Sequence, residues 1–236
     1  MIDLGEFKGF VFEVNDNSRE VLSVILVCIL EKIPYLRSGL ENAEKYKDYI
    51  PCGSLEFCQK IYGKIITPNY YPLFCNLNRK IWYTEEWPIN QKVFIKPADR
   101  YKRFTGFTTD GTERKKKNGP FWCSDIVNFI DEWRYYIANG EVLFSGWYDG
   151  IKEYEEEPKA PDLKIKIPKN YCGAIDYGMT DKGDFTLIEA QHPFACGFYG
   201  EHEDKYSFVK WLVKGWRNMI ETKKFTEMIK GKKDGK

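Results

Sequence analysis

The apolar positions of the chain change period along its length, and the changes mark its elements. The segment from Gly9 to Val14 reads as a short strand, and Asn17 with Glu20 three residues later is a capping-box signature for a helix reaching Pro34. The chain therefore opens on a βα unit. Pro51-Cys52-Gly53 forms a tight turn into Ser54, the predicted N-cap of a short helix over Leu55–Tyr62 that Gly63 stops. Prolines and asparagines between Thr67 and Asn78 predict an irregular linker, and a domain boundary, before a strand near Lys80 to Tyr83. Lys92 to Lys96 reads as a strand closed by Pro97. Asp99 to Gly119, polar and rich in glycine and basic residues, reads as a mobile loop.

Alternation takes over in the second half. The strand-like runs Glu132 to Ala138 and Glu141 to Tyr148 flank Asn139-Gly140, the strongest short-range hairpin signal. Tyr171 to Tyr177 and Asp184 to Ala190 form a second such pair, joined through Thr180-Asp181-Lys182-Gly183. A last helix from Ser207 to Lys223 is expected to bury Phe208, Trp211 and Leu212, with Trp216 a further candidate, and Lys230 to Lys236 to fray. The pattern predicts an α+β or α/β chain whose C-terminal half is built of antiparallel hairpins.

Composition narrows the function classes. The 236 residues carry 36 Lys and Arg against 35 Asp and Glu, so no large net charge drives nucleic-acid or membrane binding. A 43% hydrophobic share with 16 Phe, 16 Tyr and 7 Trp is enough for a substantial core. The longest apolar stretch, Val21 to Leu30, is broken by Ser23 and falls well short of the roughly 20 residues of a spanning helix. The N-terminus has no secretory-signal pattern, and the 7 cysteines are scattered without a C-x-x-C pair. These features point to a reducing cytoplasm and to neither a disulfide framework nor a zinc site. There is no P-loop, Rossmann, H-E-x-x-H or G-x-S-x-G motif, and only 2 histidines. The run Arg114-Lys115-Lys116-Lys117 is the one feature that suits nucleic acid, and four basic residues in a neutral chain support it weakly.

The candidate chemistry lies on the strands. Glu189 and Gln191, two apart, share one face, and Asp176 sits on the partner strand. Two carboxylates and an amide oxygen suit Mg²⁺ carrying nucleotide phosphates, although the same residues also fit ordinary solvent-facing strand positions. Lys96, at a strand end, either meets a phosphate or blunts a sheet edge. Lys102 and Arg103 beside Gly106 suit either a flap over a polyphosphate or a solvated loop. Arg134, alternating with aromatics, offers a fixed guanidinium for a carboxylate or a transferring phosphoryl group, or pairs with a neighbouring Glu.

Four stretches in order carry a resemblance. They are Ile50-Pro51-Cys52-Gly53-Ser54-Leu55-Glu56-Phe57; Val93-Phe94-Ile95-Lys96-Pro97 with Phe104-Thr105-Gly106-Phe107; Glu132-Trp133-Arg134-Tyr135-Tyr136-Ile137 with its Asn-Gly hairpin; and Ala174-Ile175-Asp176-Tyr177 through Leu187-Ile188-Glu189-Ala190-Gln191 to Gly200. Over roughly residues 50 to 200 the chain resembles the ATP-grasp superfamily, in particular small ATP-grasp proteins of bacteria and their phages. The resemblance implies an α+β, ATP-grasp fold: an N-terminal α/β predomain over 1–75, two α+β lobes around the nucleotide over 76–225, and a flexible basic tail over 226–236.

It also implies ATP and Mg²⁺ as cofactors. Lys96, Gly106, Ser124, Asp125 and Ile126 would meet the nucleotide, Asp176, Glu189 and Gln191 the metal, and Arg134 with Lys102 and Arg103 the transferred phosphoryl group. The implied reaction is ATP-dependent carboxylate–amine ligation through an acylphosphate, on small-molecule or peptide carboxylates and amines, in the cytoplasm, or a host's cytoplasm if phage-encoded. Alternatives are a kinase acting on a hydroxyl, or a non-catalytic relative that binds a protein or nucleic acid. Asp176→Asn and Glu189→Gln are expected to abolish Mg·ATP turnover and leave the fold intact. Two departures stand out: Gln191 occupies a position commonly Asn, and the family's earlier nucleotide-binding lysine has only Arg79 or Lys80 as candidates.

Overall fold

A computed structural model of the chain describes residues 2–75, 77–112, 117–151 and 153–233, with side chains to residue 223. Phe10, Val11 and Phe12 are all fully buried because their strand, β1 (Phe10–Glu13), is the centre of a three-stranded parallel sheet. A strand covered on both faces has no polar side to show. Its neighbours, β2 (Tyr35–Ser38) and β3 (Ile50–Cys52), escaped sequence reading because three or four residues carry no period. Pro51 is tolerated because β3 is an edge strand.

Two helices and a 3-10 turn, Leu40–Tyr46, complete this part. The first, α1 (Arg19–Glu31), begins one residue later than a cap at Asn17 requires. Ser18 is its N-cap and makes no side-chain cap bond, so the expected capping box does not form. Asn17 instead accepts a hydrogen bond from Arg37 at 3.2 Å. The second, α2 (Leu55–Tyr62), has the expected ends: the Ser54 hydroxyl accepts from the Phe57 N–H, and Gly63 closes the helix at φ 81°.

A second sheet is antiparallel, in the order β4-β7-β5-β6, from β4 (Ile81–Thr84), β5 (Val93–Pro97), β6 (Phe107–Thr109) and β7 (Phe121–Ser124). The segment read as a mobile loop thus contains a strand, β6, paired to β5. Of its basic run, Arg114, Lys115 and Lys116 lie outside the described residues.

The third sheet, in the order β11-β10-β8-β9, holds both predicted hairpins: β8 (Phe129–Ala138) with β9 (Glu141–Gly150), and β10 (Gly173–Thr180) with β11 (Phe185–Gln191). Asn139 and Gly140 take φ of 55° and 77°, the pair of positive values that a two-residue hairpin turn needs.

The helix α3 (Lys205–Lys233) runs further than expected, and residues 234–236 of the tail lie outside the description. It buries Phe208, Trp211, Leu212 and Trp216. The Trp211 indole N–H donates to the carbonyls of Ile137 and Gly173 at 3.1 and 3.0 Å. Through this helix one apolar core joins β1, α1 and α2 to Tyr136, Phe144 and Ala174 of the third sheet. The opposite face of that sheet, with Trp133, Tyr135, Tyr177 and Leu187, packs against Tyr70 and Tyr71 of the linker. Among the described residues no helix is long and apolar enough to cross a membrane.

Candidate functional site

One face of the third sheet changes character along its length. Glu132, Arg134 and Tyr136 alternate onto it from β8, as Asp176 and Ala174 do from β10. The Tyr136 end is apolar and lies under α3, whereas the Arg134 end is ionic. Register sets Arg134, Asp176 and Glu189 side by side across three strands, and a bulge after Asp176 shifts the β10–β11 pairing there.

The result is a continuous chain of polar contacts. Arg134 donates from Nε and Nη2 to the two oxygens of Asp176, both at 2.8 Å. The amide nitrogen of Gln191 stands between the carboxylates, 3.1 Å from Asp176 Oδ2 and 2.8 Å from Glu189 Oε1. The Cys196 thiol donates to the Gln191 amide oxygen at 3.2 Å. From the second sheet the Lys96 ammonium reaches Glu189 Oε2 at 2.8 Å. Lys96 therefore does not blunt an edge: it crosses from β5 to the other sheet and is buried.

Burial sets the electrostatics. It pushes the Asp176 carboxyl above its ordinary range in spite of the Arg134 guanidinium. For Arg134, burial opposes the charge but the Asp176 carboxylate outweighs it, so its pKa is raised. Burial also raises Glu132, whose carboxylate accepts from the Tyr148 hydroxyl at 2.6 Å.

Beside this chain a cavity of about 270 Å³ lies between the two antiparallel sheets. Phe94, Lys96 and Thr108 line it from one sheet, Phe129, Glu132 and Glu189 from the other, and Asp125 and Ile126 close it where β7 passes into β8. Asp125 is pinned there, its carboxylate accepting from the Lys80 N–H at 2.9 Å. Arg79 spans the cavity wall, stacked 5.5 Å from the Phe129 ring, with one guanidinium nitrogen on the Ile188 carbonyl and a buried Nε that has no hydrogen-bond partner.

The structure brings together five predicted residues, Lys96, Arg134, Asp176, Glu189 and Gln191, and places Asp125 and Ile126 on the adjoining cavity. Ser124 is fully buried behind it, its hydroxyl on the Asp125 carbonyl. Gly106 packs so closely that an added Cβ would lie 2.5 Å from the Phe94 ring. Arg134, expected on the transferred phosphoryl group, commits two of its three nitrogens to Asp176.

Arg103, expected among the catalytic cations, is spent on its own loop: it binds Asp99 at 2.6 Å and the carbonyls of Asn118 and Pro120. Lys102 lines a separate hollow of about 50 Å³ with Leu55, Gln191 and His192. Sequence reading did not identify Glu132, Tyr70 or Tyr71. The first shares a face with Arg134 by simple alternation, and the tyrosines come from the irregular linker, where no period points anywhere.

The donor set fits Mg²⁺. Asp176 and Glu189 both come within hydrogen-bond reach of one amide nitrogen, so their oxygens converge on one small volume. Among the described residues no group of three or more His, Cys, Asp and Glu side chains stands ready for a metal, but two carboxylates suffice for an ion that also takes phosphate oxygens and water.

Residues 76–209 match the model of a family of ATP-grasp domains, family 2 of its clade. No curated protein matches. Solved structures of similar shape include the ATP-grasp ligase PsnB complexed with a minimal precursor, at 6% identity over 86% of this chain and 99% of that one, with a TM-score of 0.46. Another is D-alanyl-alanine synthetase A from Vibrio cholerae, at 10% identity over 91% and 100% of the two chains, TM-score 0.47. A third is N5-carboxyaminoimidazole ribonucleotide synthetase from Thermotoga maritima, at 11% identity over 90% and 76%, TM-score 0.44. Since the family model spans more than half of its length, the chain belongs to this family of ATP-grasp domains.

Proposed function

We propose that this protein is an ATP-dependent carboxylate–amine ligase that activates a substrate carboxylate as an acylphosphate and passes it to an amine. The observation that supports the reading most is the polar chain from Lys96 through Glu189, Gln191 and Asp176 to Arg134 at the rim of a cavity between two sheets. Asp176 and Glu189 would hold Mg²⁺, with Gln191 turning its amide oxygen inward. The bound ion supplies charge neutralisation for the nucleotide phosphates.

The chain's own groups do the rest. Lys96 offers a desolvated cation to a phosphate oxygen, where a charge-assisted bond is strong. Arg134 fixes the Asp176 carboxylate in one orientation. Arg79 and Asp125 bound the nucleotide cavity, and the cover of Phe94 and Phe129 keeps water from the reactive acylphosphate. No step demands a general base of the histidine kind, which suits a site built from carboxylates, an amide and cations.

Calorimetric titration of ATP with Mg²⁺ tests the reading. Wild type is expected to bind, and Lys96→Ala to bind about ten- to a hundredfold more weakly, the worth of one charged hydrogen bond. Absence of binding by wild type overturns the reading. With carboxylate and amine mixtures the expected products are phosphate and an amide, and a stable phosphoester would point to a kinase instead.

A further inference from the structure

Lys96 meets the site from an aromatic enclosure. Its ammonium lies 3.8 Å from the Tyr70 ring centroid and 4.7 Å from that of Tyr71, both inside the reach of a cation–π attraction. Neither tyrosine belongs to a sheet; both come from the linker between α2 and β4. They are nonetheless held firmly. Tyr70 packs edge-on against Tyr101 at 5.4 Å and Tyr71 against Trp122 at 5.3 Å. The Tyr70 carbonyl accepts the Ala190 N–H at 2.7 Å, so the linker is tied to β11 between Glu189 and Gln191.

A buried ammonium is costly unless it is compensated. The compensation here comes from two kinds of partner with different fates. Glu189 is its one ion-pair partner among the described residues, and the same carboxylate is a candidate metal ligand. Once Glu189 turns to a divalent cation, Lys96 loses its counter-charge and faces a second positive charge. The ring faces cannot be taken by a metal in this way. A lysine on a flexible four-carbon stem would otherwise swing away at that moment.

We propose that Tyr70 and Tyr71 are positioning residues, a cage that holds the Lys96 ammonium on the nucleotide side of the site while Glu189 passes from lysine to metal. The inference rests on the Mg·ATP reading above and goes beyond it in assigning a role to the linker. It predicts that the ring faces, rather than the hydroxyls, carry the effect.

Two measurements on the full chain test it. In selectively labelled protein the Lys96 ε-methylene resonance should be displaced upfield by the ring currents, and Tyr70→Leu should abolish most of that displacement. Tyr70→Leu should also weaken Mg·ATP binding about tenfold, the worth of a desolvated cation–π contact, while Tyr70→Phe recovers most of the loss. If Tyr70→Leu does not fold, Tyr71→Leu against Tyr71→Phe carries the same comparison. A Lys96 resonance at its unperturbed position in wild type overturns the cage. So does a Phe variant as weak as the Leu variant, or a Leu variant as tight as wild type. A displaced resonance in a wild type that binds no Mg·ATP overturns the ligase reading and not the cage.

Discussion

Asp176 and Glu189 face one another across paired strands, yet the Asp176 side chain is 2% exposed and that of Glu189 26%. The difference decides what each substitution reports. Asp176→Asn leaves the Arg134 guanidinium buried without its counter-charge, a change worth about 3–5 kcal/mol in buried pairs. Glu189→Gln also takes the counter-charge from a buried ammonium, but this carboxylate is partly solvated and the Tyr70 and Tyr71 rings stay against Lys96, so it should cost less, about 1–2 kcal/mol. Both should lose Mg·ATP binding, but Asp176→Asn should lower the urea midpoint by more, and equal midpoints would contradict the buried pairing. The sequence-based expectation is that both leave the fold intact, and the burial of Asp176 makes the two urea midpoints the measurement that decides it. Alternation made Glu189 and Gln191 legible as one face, because a strand's period is rigid. It gave no sign that Asp176 is buried, nor that Arg103 turns back onto its own loop, since the direction of a loop side chain is set by tertiary contacts that no local pattern records.

Local chemistry predicted elements well where one residue controls the backbone. Asn139-Gly140 and the Ser54 to Gly63 helix were readable because positive φ and capping are single-residue requirements. The short strands β2, β3, β6 and β7 were not, because their pairing depends on neighbours distant in sequence. The two N-cap serines turn this into a test. Ser54 accepts from the Phe57 N–H, while Ser18 makes no cap bond and its buried hydroxyl has no partner. Ser54→Ala should therefore destabilise the fold by about 1 kcal/mol, and Ser18→Ala should stay within about 0.5 kcal/mol of wild type. Chemical denaturation of the pair checks it, and equal losses would show that both hydroxyls cap. Because α2 packs into the core shared with α3, the loss at Ser54 should appear in global rather than local unfolding.

Across the whole molecule the titratable groups inside the fold are set against alkali. All 7 cysteines are free and buried. Burial lifts Cys75 and Cys123 to about 11 and Cys28 and Cys196 to about 12, and it raises the Tyr136, Tyr148 and Tyr171 hydroxyls in the same direction. The sign follows from linkage. An unfolded thiol ionises near pH 8.5 by its ordinary pKa of about 8.5, while the folded one keeps its proton, so the unfolded chain is favoured progressively above that point. The thiols' contribution to stability should thus be full below about pH 8.5 and fall as the pH climbs towards the folded values near 12, each thiol contributing up to about 1.4 kcal/mol per pH unit in that window. Tyrosine ionisation adds to the fall above about pH 10. The thiols lie on α1, β3, α2, the linker, β7 and the segments flanking β10 and β11, so they report on or beside each of the three sheets. Cys58 and Cys196 belong to the one core that α3 shares between the parallel sheet and the third sheet. They should therefore become reactive to a thiol reagent together in a denaturant series, after showing no reaction in the native protein at pH 8. Early exposure of Cys58 alone would mean that the parallel sheet opens independently, and that α3 does not couple the two parts as the shared core requires.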